Sequence, residues 1–364
     1  MNIVFVITGL GMGGAETQVC SLADTMANKG FKVSIIYLGG EKVVAPVNSS
    51  IDVISIGLKK SIFSLFKAIL TLRKRIKEIS PDVVHSHMVH ANLLARIVRP
   101  FTKIPVLITS AHNSNEGGIL RMLLYRVTHF LSDVTTNVGA LSVERFMSIG
   151  AVPKGGMISM VNGIDTKKFT PSLKSQLVDE LCLDCHTKVF VVVGRNEPQK
   201  DYKNLLDAIS LVDSDIDFKV LVIGKDTEEL AEYSRTIGVE DKMELLGLRK
   251  DVNEIMSSSH CLIMSSAWEG LPIVIGEAMA SGCSIITTNA GGCREWLKDD
   301  DVVAPIRNSK ALAKLIEIEL HKNVNDHEKD VEQNRNHVEE NFSIESITNR
   351  WIEIYKNPKS VYEE

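Results

Sequence analysis

The sequence predicts an α/β protein with two domains, each built on a parallel β-sheet. Short apolar runs rich in Val and Ile, which are typical of buried parallel strands, alternate with helical segments along the 364 residues. The alternation restarts at Lys188 after a polar stretch, and the length is ample for two domains. We therefore predict one Rossmann-like domain over residues 1–168 and a second over residues 169–342.

Charge is divided unevenly between the two predicted domains. The formal net charge is −5, but Lys and Arg exceed Asp and Glu in residues 1–180 and are outnumbered in the remainder. This asymmetry argues against nucleic-acid binding and indicates that the first domain meets an anionic partner. No run of about 18 apolar residues occurs, and the start of the chain lacks the basic segment of a signal peptide. We expect a cytoplasmic protein.

The cysteines include one pattern that resembles a cofactor site. Cys182, Cys185 and His186 have the spacing of a c-type haem attachment sequence. Such attachment requires export, and a zinc site would need a second pair of ligands nearby. In a reducing cytoplasm the six cysteines are expected to be free thiols. We predict neither a cofactor nor a metal.

The first predicted strand, residues 1–8, leads into a glycine-rich loop and a helix. Three glycines have the spacing of the dinucleotide-binding fingerprint, namely Gly9, Gly11 and Gly14. That fingerprint expects an acidic residue at the end of the second strand. Here the second strand, residues 32–38, is followed by two glycines before the first acid, Glu41. The sequence therefore disfavours an NAD-dependent oxidoreductase, although small residues at a helix start still suit an anion.

A helix predicted around residues 59–77 combines positive charge with an apolar stripe. Its basic residues are Lys59, Lys60, Lys67, Arg73, Lys74, Arg75 and Lys77, and the first acid is Glu78. The residues of the apolar stripe are Phe63, Phe66, Ile69, Leu70 and Leu72. Such a helix can pack its stripe on the sheet. The surplus of cations equally suits an anionic membrane surface.

Histidines follow two further predicted strands. The strand over residues 82–85 ends at His85 and is followed by His87, and the strand over residues 105–110 is followed by His112. Open parallel sheets bind ligands at the carboxyl ends of their strands, so His112 is a candidate ligand contact. We interpret His85 and His87 as structural. The remaining elements of this domain are a helix over residues 89–99, a strand over 134–138, a helix over 141–149 and a strand over 157–161.

The second domain begins with a Val-rich strand, residues 188–193, and a loop that carries Arg195 and Lys200. Arg offers a planar fork and Lys a mobile point charge, so the two can converge on one diphosphate at the end of a parallel strand. The next elements are strands over residues 218–223 and 243–246 and a turn at Gly247 and Leu248.

The most informative stretch, residues 261–296, reads as strand, loop, helix, strand and glycine-rich turn. Glu269 precedes the helix, and Glu277 lies on its second turn. Pro272 suits the first helical position, and Gly282 ends the helix. The backbone N–H groups of Gly270, Leu271 and Ile273, around Pro272, offer a seat for phosphate at the positive end of the helix dipole. An anion seat between two carboxylates suits a nucleotide-sugar.

These residues resemble a known family. Glu269 and Glu277 form a Glu-x7-Glu pattern, with Glu-Gly opening the loop and Gly291-Gly292 ahead of Glu295. This combination is similar to the retaining glycosyltransferases of family four, also called group 1, in their bacterial surface-polysaccharide type (O-antigen and capsule). Further matches to that family are Gly13-Gly14-Ala15-Glu16, Asn162-Gly163-Ile164-Asp165, Gly194-Arg195 and Lys200. The resemblance covers nearly the whole chain.

The resemblance implies the GT-B fold, in which two Rossmann-like domains with parallel sheets face each other across a cleft. In that architecture the last helix, here residues 343–357, crosses back to the first domain. The first domain would hold the acceptor and the second the nucleotide-sugar.

The resemblance also implies roles for the candidate residues. Arg195 and Lys200 would neutralise the departing diphosphate, Glu277 would hold ribose hydroxyls, and Glu269 would orient the transferred sugar. His112 would contact that sugar. The other donor-binding candidates are Gly13, Gly14, Gly247, Leu248, Gly270, Leu271, Pro272 and Ile273.

The resemblance thus implies a metal-independent, retaining transfer from a nucleotide-sugar, expected to be a UDP-sugar, to a saccharide acceptor. We expect a hexosyl or N-acetylhexosaminyl group and a lipid-diphosphate-linked acceptor of bacterial surface-polysaccharide synthesis. The basic helix predicts peripheral binding to the anionic inner face of the plasma membrane. A GT-B sugar-nucleotide epimerase remains the alternative, with an NAD-dependent oxidoreductase behind it.

Overall fold

The computed structural model describes residues 1–59, 61–113, 118–171, 181, 187–298, 300 and 302–362. Their contacts divide the chain into two compact units. Unit 1 comprises Met1–Gly163 and Ile344–Glu364, and unit 2 comprises Ile164–Ser343. Each unit is built on one parallel sheet, which confirms the predicted α/β class.

The described part of unit 1 contains a sheet of seven parallel strands. They are β1 (Asn2–Ile7), β2 (Lys32–Tyr37), β3 (Asp52–Ser55), β4 (Val83–His87), β5 (Val106–Ala111), β6 (Val134–Asn137) and β7 (Ile158–Ser159). Their order across the sheet is β3-β2-β1-β4-β5-β6-β7. The strand order reverses between β1 and β4, which is where open α/β sheets form a ligand crevice.

Helices cover both faces of this sheet. The α-helices described in unit 1 are α1 (Gly14–Asn28), α2 (Ile62–Ile79), α3 (Val89–Val98), α4 (Ile119–Thr128), α5 (Ala140–Ser148) and, from the end of the chain, Ile344–Lys356. Alternate residues of β1 enter two different cores, because side chains of a strand point to opposite faces. Phe5 packs in a core with α1 and Trp351, whereas Val4 and Val6 pack in a core with α2 and α3.

Unit 2 repeats this plan. Its described strands are β8 (Lys188–Val193), β9 (Phe218–Ile223), β10 (Met243–Gly247), β11 (Cys261–Met264), β12 (Ser284–Thr288) and β13 (Val303–Ala304). All pairings among them are parallel, in the order β10-β9-β8-β11-β12-β13. The reversal of strand order lies between β8 and β11, and the loops after these two strands carry Arg195, Lys200 and Glu269.

The α-helices described in unit 2 are α6 (Tyr202–Leu211), α7 (Ala231–Thr236), α8 (Val252–Ser257), α9 (Ile273–Ser281), α10 (Ser309–His321) and α11 (Val324–Asn341). The helix Ile344–Lys356 of unit 1 is therefore α12. One core joins Phe190 and Val220 of the sheet to Leu205 of α6 and Leu312 of α10. None of the helices described in either unit is long and apolar enough to cross a bilayer.

The start of α9 differs from the prediction in one residue. Pro272 is extended, with φ −74° and ψ 105°, and forms the N-cap, so the helix begins at Ile273. Gly282 ends it in the left-handed conformation with φ 87°, as predicted. Glu277 is the fifth helical residue and lies on the second turn.

The apolar stripe predicted on α2 is largely not used for packing. Its buried side consists of Ala68, Leu72 and Ile76, whereas Phe63 is 90% exposed and Phe66 is 67% exposed. The helix starts at Ile62, three residues after Lys59, and Lys60 lies outside the described residues. The sheet therefore accounts for one face of α2 and leaves an apolar, basic face in solvent.

Candidate functional site

The carboxylate of Glu269 is the most constrained side chain at the β8/β11 reversal. Lys200 Nζ lies 2.7 Å from its Oε1, and Ser266 Oγ donates to the same oxygen at 2.7 Å. Gln199 Nε2 donates to Oε2 at 2.8 Å. The carboxylate side chain is 8% exposed. Three donors from two loops thus fix the orientation of Glu269 at the carboxyl ends of β8 and β11.

The two predicted diphosphate cations have different surroundings. Lys200 is mostly buried and paired with Glu269, so an incoming phosphate would meet an ion pair rather than an isolated ammonium. Arg195 is exposed and its Nη1 lies 3.0 Å from Glu197 Oε1. Gly194 lies against the Lys200 stem, since a Cβ there would meet Cε at 2.7 Å. A side chain at position 194 would therefore displace the Lys200 side chain, which folds back across the loop.

The glycine-rich turn after β12 fixes the loop that carries Glu269. Gly291 has φ +60°, and a side chain there would collide with the carbonyl oxygen of Glu269. Gly292 donates its N–H to the carbonyl oxygen of Gly270 at 2.8 Å. The Gly-Gly pair recognised in the sequence thus acts through backbone contact, and it holds the segment that leads into α9.

Glu277 has an environment that favours its neutral form. The structure gives its carboxyl no hydrogen bond or ion pair among the described residues. Burial raises its pKa to about 7, and the charge of Lys168 opposes that rise without cancelling it. Glu277 is half-buried, and its carboxyl is able to accept hydrogen bonds from ligand hydroxyls.

Gly247, the last residue of β10, pairs with β9 and leads into a turn. Gly247 has φ +60° and accepts a hydrogen bond from the N–H of Gly224 at 2.8 Å, and a side chain there would collide with Glu228. Leu248 follows and is 69% exposed. The backbone of this turn is therefore fixed by β9 while its next side chain reaches solvent.

In unit 1 three histidines form a cluster at the ends of β4 and β5, in which His85 and His87 are buried and His112 is half-buried. His112 Nε2 lies 2.9 Å from His87 Nδ1. His85 Nδ1 lies 2.7 Å from the hydroxyl of Tyr355, and its Nε2 lies 2.7 Å from Ser110 Oγ. Burial lowers the pKa of His112 to about 4, so its ring is neutral at pH 7.

The contact of His87 with His112 was not predicted from the sequence. A cavity of about 10 Å³, which is room for one water, is lined by His87, His112, Asn162 and Trp351 among others. His87 Nε2 is buried there without a hydrogen-bond partner among the described residues. The His-x-His spacing of His85 and His87 was a sequence signal for such a cluster, since residues two apart on a strand share a face. His87 is therefore placed to set the tautomer and orientation of His112.

The glycine loop after β1 begins α1. Gly13 is the N-cap residue in an extended conformation, and Gly14 is the first helical residue. A side chain at Gly13 would meet the carboxylate of Glu16 at 2.5 Å. Strand β2 ends at Tyr37, so the acid expected of a dinucleotide site is absent from its end, and Glu41 is exposed beyond two glycines. The haem-like Cys182–His186 pattern lies outside the described residues.

Family models match both units. Residues 12–168 match the model of "Glycosyltransferase Family 4", and residues 180–338 match that of "Glycosyl transferases group 1". Together the two matches leave out short segments at the ends and between the units.

Two bacterial enzymes illustrate the similarity of sequence. One is the UDP-Gal:α-D-GlcNAc-diphosphoundecaprenol α-1,3-galactosyltransferase of Escherichia coli, 28% identical over 66% of each chain. The other, from Campylobacter jejuni, is a GalNAc-α-(1→4)-GalNAc-α-(1→3)-diNAcBac-PP-undecaprenol α-1,4-N-acetyl-D-galactosaminyltransferase, 24% identical over 99% of each chain.

Solved structures show the same fold. A glycosyltransferase from Rickettsia africae superposes with a TM-score of 0.86 at 18% identity, covering 100% of this chain and 99% of that one. Anabaena HepE in complex with UDP superposes with a TM-score of 0.82 at 18% identity, covering 98% of this chain and 100% of that one.

Proposed function

Because this chain belongs to the group 1 glycosyltransferases and has the GT-B fold, we propose that it transfers a sugar from a UDP-sugar to a lipid-diphosphate-linked saccharide. The group moved is a hexosyl or N-acetylhexosaminyl unit, and the product belongs to bacterial surface-polysaccharide synthesis. The observation that carries the proposal is the Glu269 carboxylate, fixed by Lys200, Ser266 and Gln199 where the strand order reverses.

The donor would occupy the carboxyl ends of β8 and β11. Backbone N–H groups at the start of α9, together with Arg195 and Lys200, would hold its diphosphate. Glu277 would accept hydrogen bonds from ribose hydroxyls, and Glu269 from hydroxyls of the sugar. The backbone at Gly247 and Leu248 would contact the base, and Gly13 and Gly14 would approach the phosphates. The positions within unit 2 support the donor class, because two cations, the start of a helix and two carboxyl groups follow strands β8 and β11.

The chemical step is proposed to retain the anomeric configuration and to need no metal. The bond between the anomeric carbon and the diphosphate oxygen breaks, and a bond between that carbon and an acceptor hydroxyl oxygen forms. Negative charge develops on the departing diphosphate oxygen, which takes up the proton of the acceptor hydroxyl. Arg195, Lys200 and the helix dipole of α9 would stabilise that charge, which is the task of a metal in other transferases. His112 would contact the transferred sugar as a neutral imidazole, in keeping with its lowered pKa.

The acceptor proposal rests on the relatives. The E. coli enzyme is named for a diphosphoundecaprenol-linked substrate and the C. jejuni enzyme for a PP-undecaprenol-linked one. Both names describe a short saccharide on a lipid diphosphate. We therefore assign the same class of acceptor to this chain.

Unit 1 carries a surface that suits a lipid acceptor at an anionic membrane. The exposed face of α2 combines Phe63 and Phe66 with cations. Helix α4 exposes Ile119, Leu120, Leu123 and Val127 beside Arg121 and Arg126. Both helices pack against α3. Apolar side chains framed by cations are typical of interfacial helices. We therefore propose peripheral binding at the cytoplasmic face of the plasma membrane.

A donor and acceptor screen tests this function. The protein is incubated with UDP-hexoses and UDP-N-acetylhexosamines, with and without undecaprenyl-diphosphate saccharides, and UDP release is measured. We expect acceptor-dependent UDP release with one donor. Acceptor-independent conversion of the UDP-sugar would instead establish the epimerase, and turnover of NAD with no UDP release would establish the oxidoreductase.

A further inference from the structure

A second cluster of chemically active side chains lies in unit 2, at the other end of β11 from Glu269. His260 immediately precedes β11, Glu319 lies near the end of α10, and His327 lies in the first turn of α11. Because β11 has four residues, it separates this cluster from the Glu269 loop by about 13 Å. The proposed transfer reaction therefore leaves these three side chains without a role.

Their ligand atoms have nearly the separations found around a metal ion. Glu319 Oε1 lies 3.0 Å from His327 Nδ1 and 3.2 Å from His260 Nε2. All three ligand-capable atoms lie within 4.8 Å of one another. Ligands about 2.0–2.1 Å from a tetrahedral zinc lie about 3.3 Å apart. Two of the three separations are close to that value, and in the structure the contact between His327 and Glu319 is a hydrogen bond.

The surroundings orient the carboxylate as the outer shell of a metal site does. Lys322 Nζ lies 2.8 Å from Glu319 Oε2, and Ser284 Oγ donates to Oε1 at 2.6 Å. Glu319 is 3% exposed. Partners of this kind fix a ligand and tune its affinity for metal.

One nitrogen of the cluster lacks a well-directed partner. His260 Nε2 is buried, and among the described residues it has no hydrogen-bond acceptor of good geometry, although Glu319 Oε1 is 3.2 Å away. The rings of His260 and His327 are stacked with centroids 3.9 Å apart and planes 12° apart. An ion held by both rings requires one of them to turn out of this stack, so binding would rearrange the pair.

A cavity next to the cluster provides a route for an ion. It has a volume of about 90 Å³, and its lining includes Ser284, Lys298, Lys322 and Asp330. Ser284 and Lys322 both contact Glu319. Lys322 also pairs with Asp330 at 2.9 Å, and Lys188 Nζ contacts the Glu319 carbonyl oxygen at 3.2 Å. Lys188, Lys298 and Lys322 oppose a cation, which limits its affinity, and the carboxylates of Glu319 and Asp330 offset part of that positive charge.

We propose that His260, Glu319 and His327 bind one Zn²⁺ or a similar divalent transition metal, which ties α10 and α11 to the start of β11. Two imidazoles and one carboxylate select zinc, cobalt or nickel over magnesium and calcium, which prefer oxygen. The site is structural and is separate from the metal-independent transfer proposed above.

Metal titration of the full chain, first stripped with chelator, tests the site. We expect Zn²⁺ to raise the Tm and Co²⁺ to give the visible absorption of a tetrahedral complex, each saturating at one equivalent. His260→Gln and His327→Gln should each weaken binding at least about 10-fold. The matched control is His321→Gln, which removes an exposed histidine of the same helix as Glu319 and should bind as wild type does.

A double cysteine variant makes the result decisive. Cys182→Ser with Cys185→Ser removes the other potential ligand set and should leave metal binding unchanged. If His260→Gln fails to fold, His327→Gln decides, because His327 is partly exposed on α11 whereas His260 adjoins the central strand β11. The proposal is wrong if wild type shows no Tm change or cobalt spectrum, if both histidine variants bind as wild type does, or if the double cysteine variant loses binding.

Discussion

At the scale of single residues, the pairing of Lys200 with Glu269 shapes the proposed donor site. The ion pair is mostly buried, and removal of one partner leaves the other charge without compensation. Arg195 differs, because it is exposed and paired with Glu197. The two cations should therefore contribute differently, Lys200 to both the geometry of Glu269 and the phosphate, and Arg195 to the phosphate.

Lys200→Ala and Arg195→Ala are each expected to lower turnover about 10²-fold or more, since each removes a positive charge that stabilises the leaving diphosphate. Lys203→Ala is the control, because Lys203 is an exposed lysine three residues away that pairs with Asp207. Initial rates with saturating UDP-sugar measure the effect. Full activity in both variants, or activity that disappears with EDTA and returns with Mg²⁺, would exclude the metal-independent mechanism.

The pH dependence of the stability of Glu277→Gln tests whether the pKa of the second carboxyl is raised in the folded protein. The folded pKa of Glu277, about 7, lies above its ordinary value of 4.5. The folded state favours the protonated carboxyl. The stability that this preference contributes is therefore fully present below pH 4.5 and is lost as the pH rises through 7. Between pH 5 and pH 8 the free energy of unfolding should fall about 1 to 3 kcal/mol further in wild type than in Glu277→Gln.

Urea unfolding at the two pH values, without ligand, measures that difference. The same substitution should weaken UDP binding, because a neutral amide replaces the carboxylate that accepts hydrogen bonds from the ribose. Equal pH dependence in the two proteins would show that the carboxyl is solvated in the folded state.

At the scale of secondary-structure elements, the two faces of helix α2 differ. One face packs in the core, and the other is exposed and carries aromatic residues and cations. Ala68, Leu72 and Ile76 fill the core, and the exposed side keeps Phe63 and Phe66. Glu78 pairs with Arg75 at 2.9 Å and lies 3.8 Å from Lys74, so part of the positive charge is neutralised at the end of the helix.

Replacing Arg73, Lys74, Arg75 and Lys77 with Gln is expected to weaken binding to anionic vesicles and to leave UDP-sugar binding intact. Each basic residue near an anionic surface contributes about 1 kcal/mol, and salt screens the attraction. Co-sedimentation at low and high salt measures the change. Lys310→Gln with Lys314→Gln, which removes exposed cations of α10 in unit 2, is the control. Equal sedimentation of variant and wild type, or none by either, would show that α2 only packs on the sheet and does not bind the membrane.

Sequence reasoning predicted most of these elements because strands such as Lys188–Val193 and Cys261–Met264 carry uninterrupted apolar runs. It did not predict α4, Ile119–Thr128, in which five large apolar residues remain exposed, namely Ile119, Leu120, Leu123, Leu124 and Val127. Apolar residues on the solvent side as well as on the core side obscure the helical period in the sequence.

At the scale of the whole molecule, the fold class was predictable because both units repeat one plan, a strand followed by a loop and a helix. Contacts between residues far apart in sequence were not. The cluster of His260, Glu319 and His327 is formed by a strand start and two helices, and no spacing in the sequence signals it. In the same way, the contact of Glu269 with Gln199 requires β8 and β11 to be neighbours.

The transfer itself is tested most directly by analysing the lipid product. Wild-type protein is incubated in EDTA with the UDP-sugar selected by the screen and an undecaprenyl-diphosphate saccharide, and the lipid is examined by mass spectrometry and NMR. We predict a mass gain of one hexosyl or N-acetylhexosaminyl unit, with the new linkage in the anomeric configuration of the donor. A lipid of unchanged mass beside hydrolysed or epimerised UDP-sugar, or a product of inverted configuration, would contradict the account.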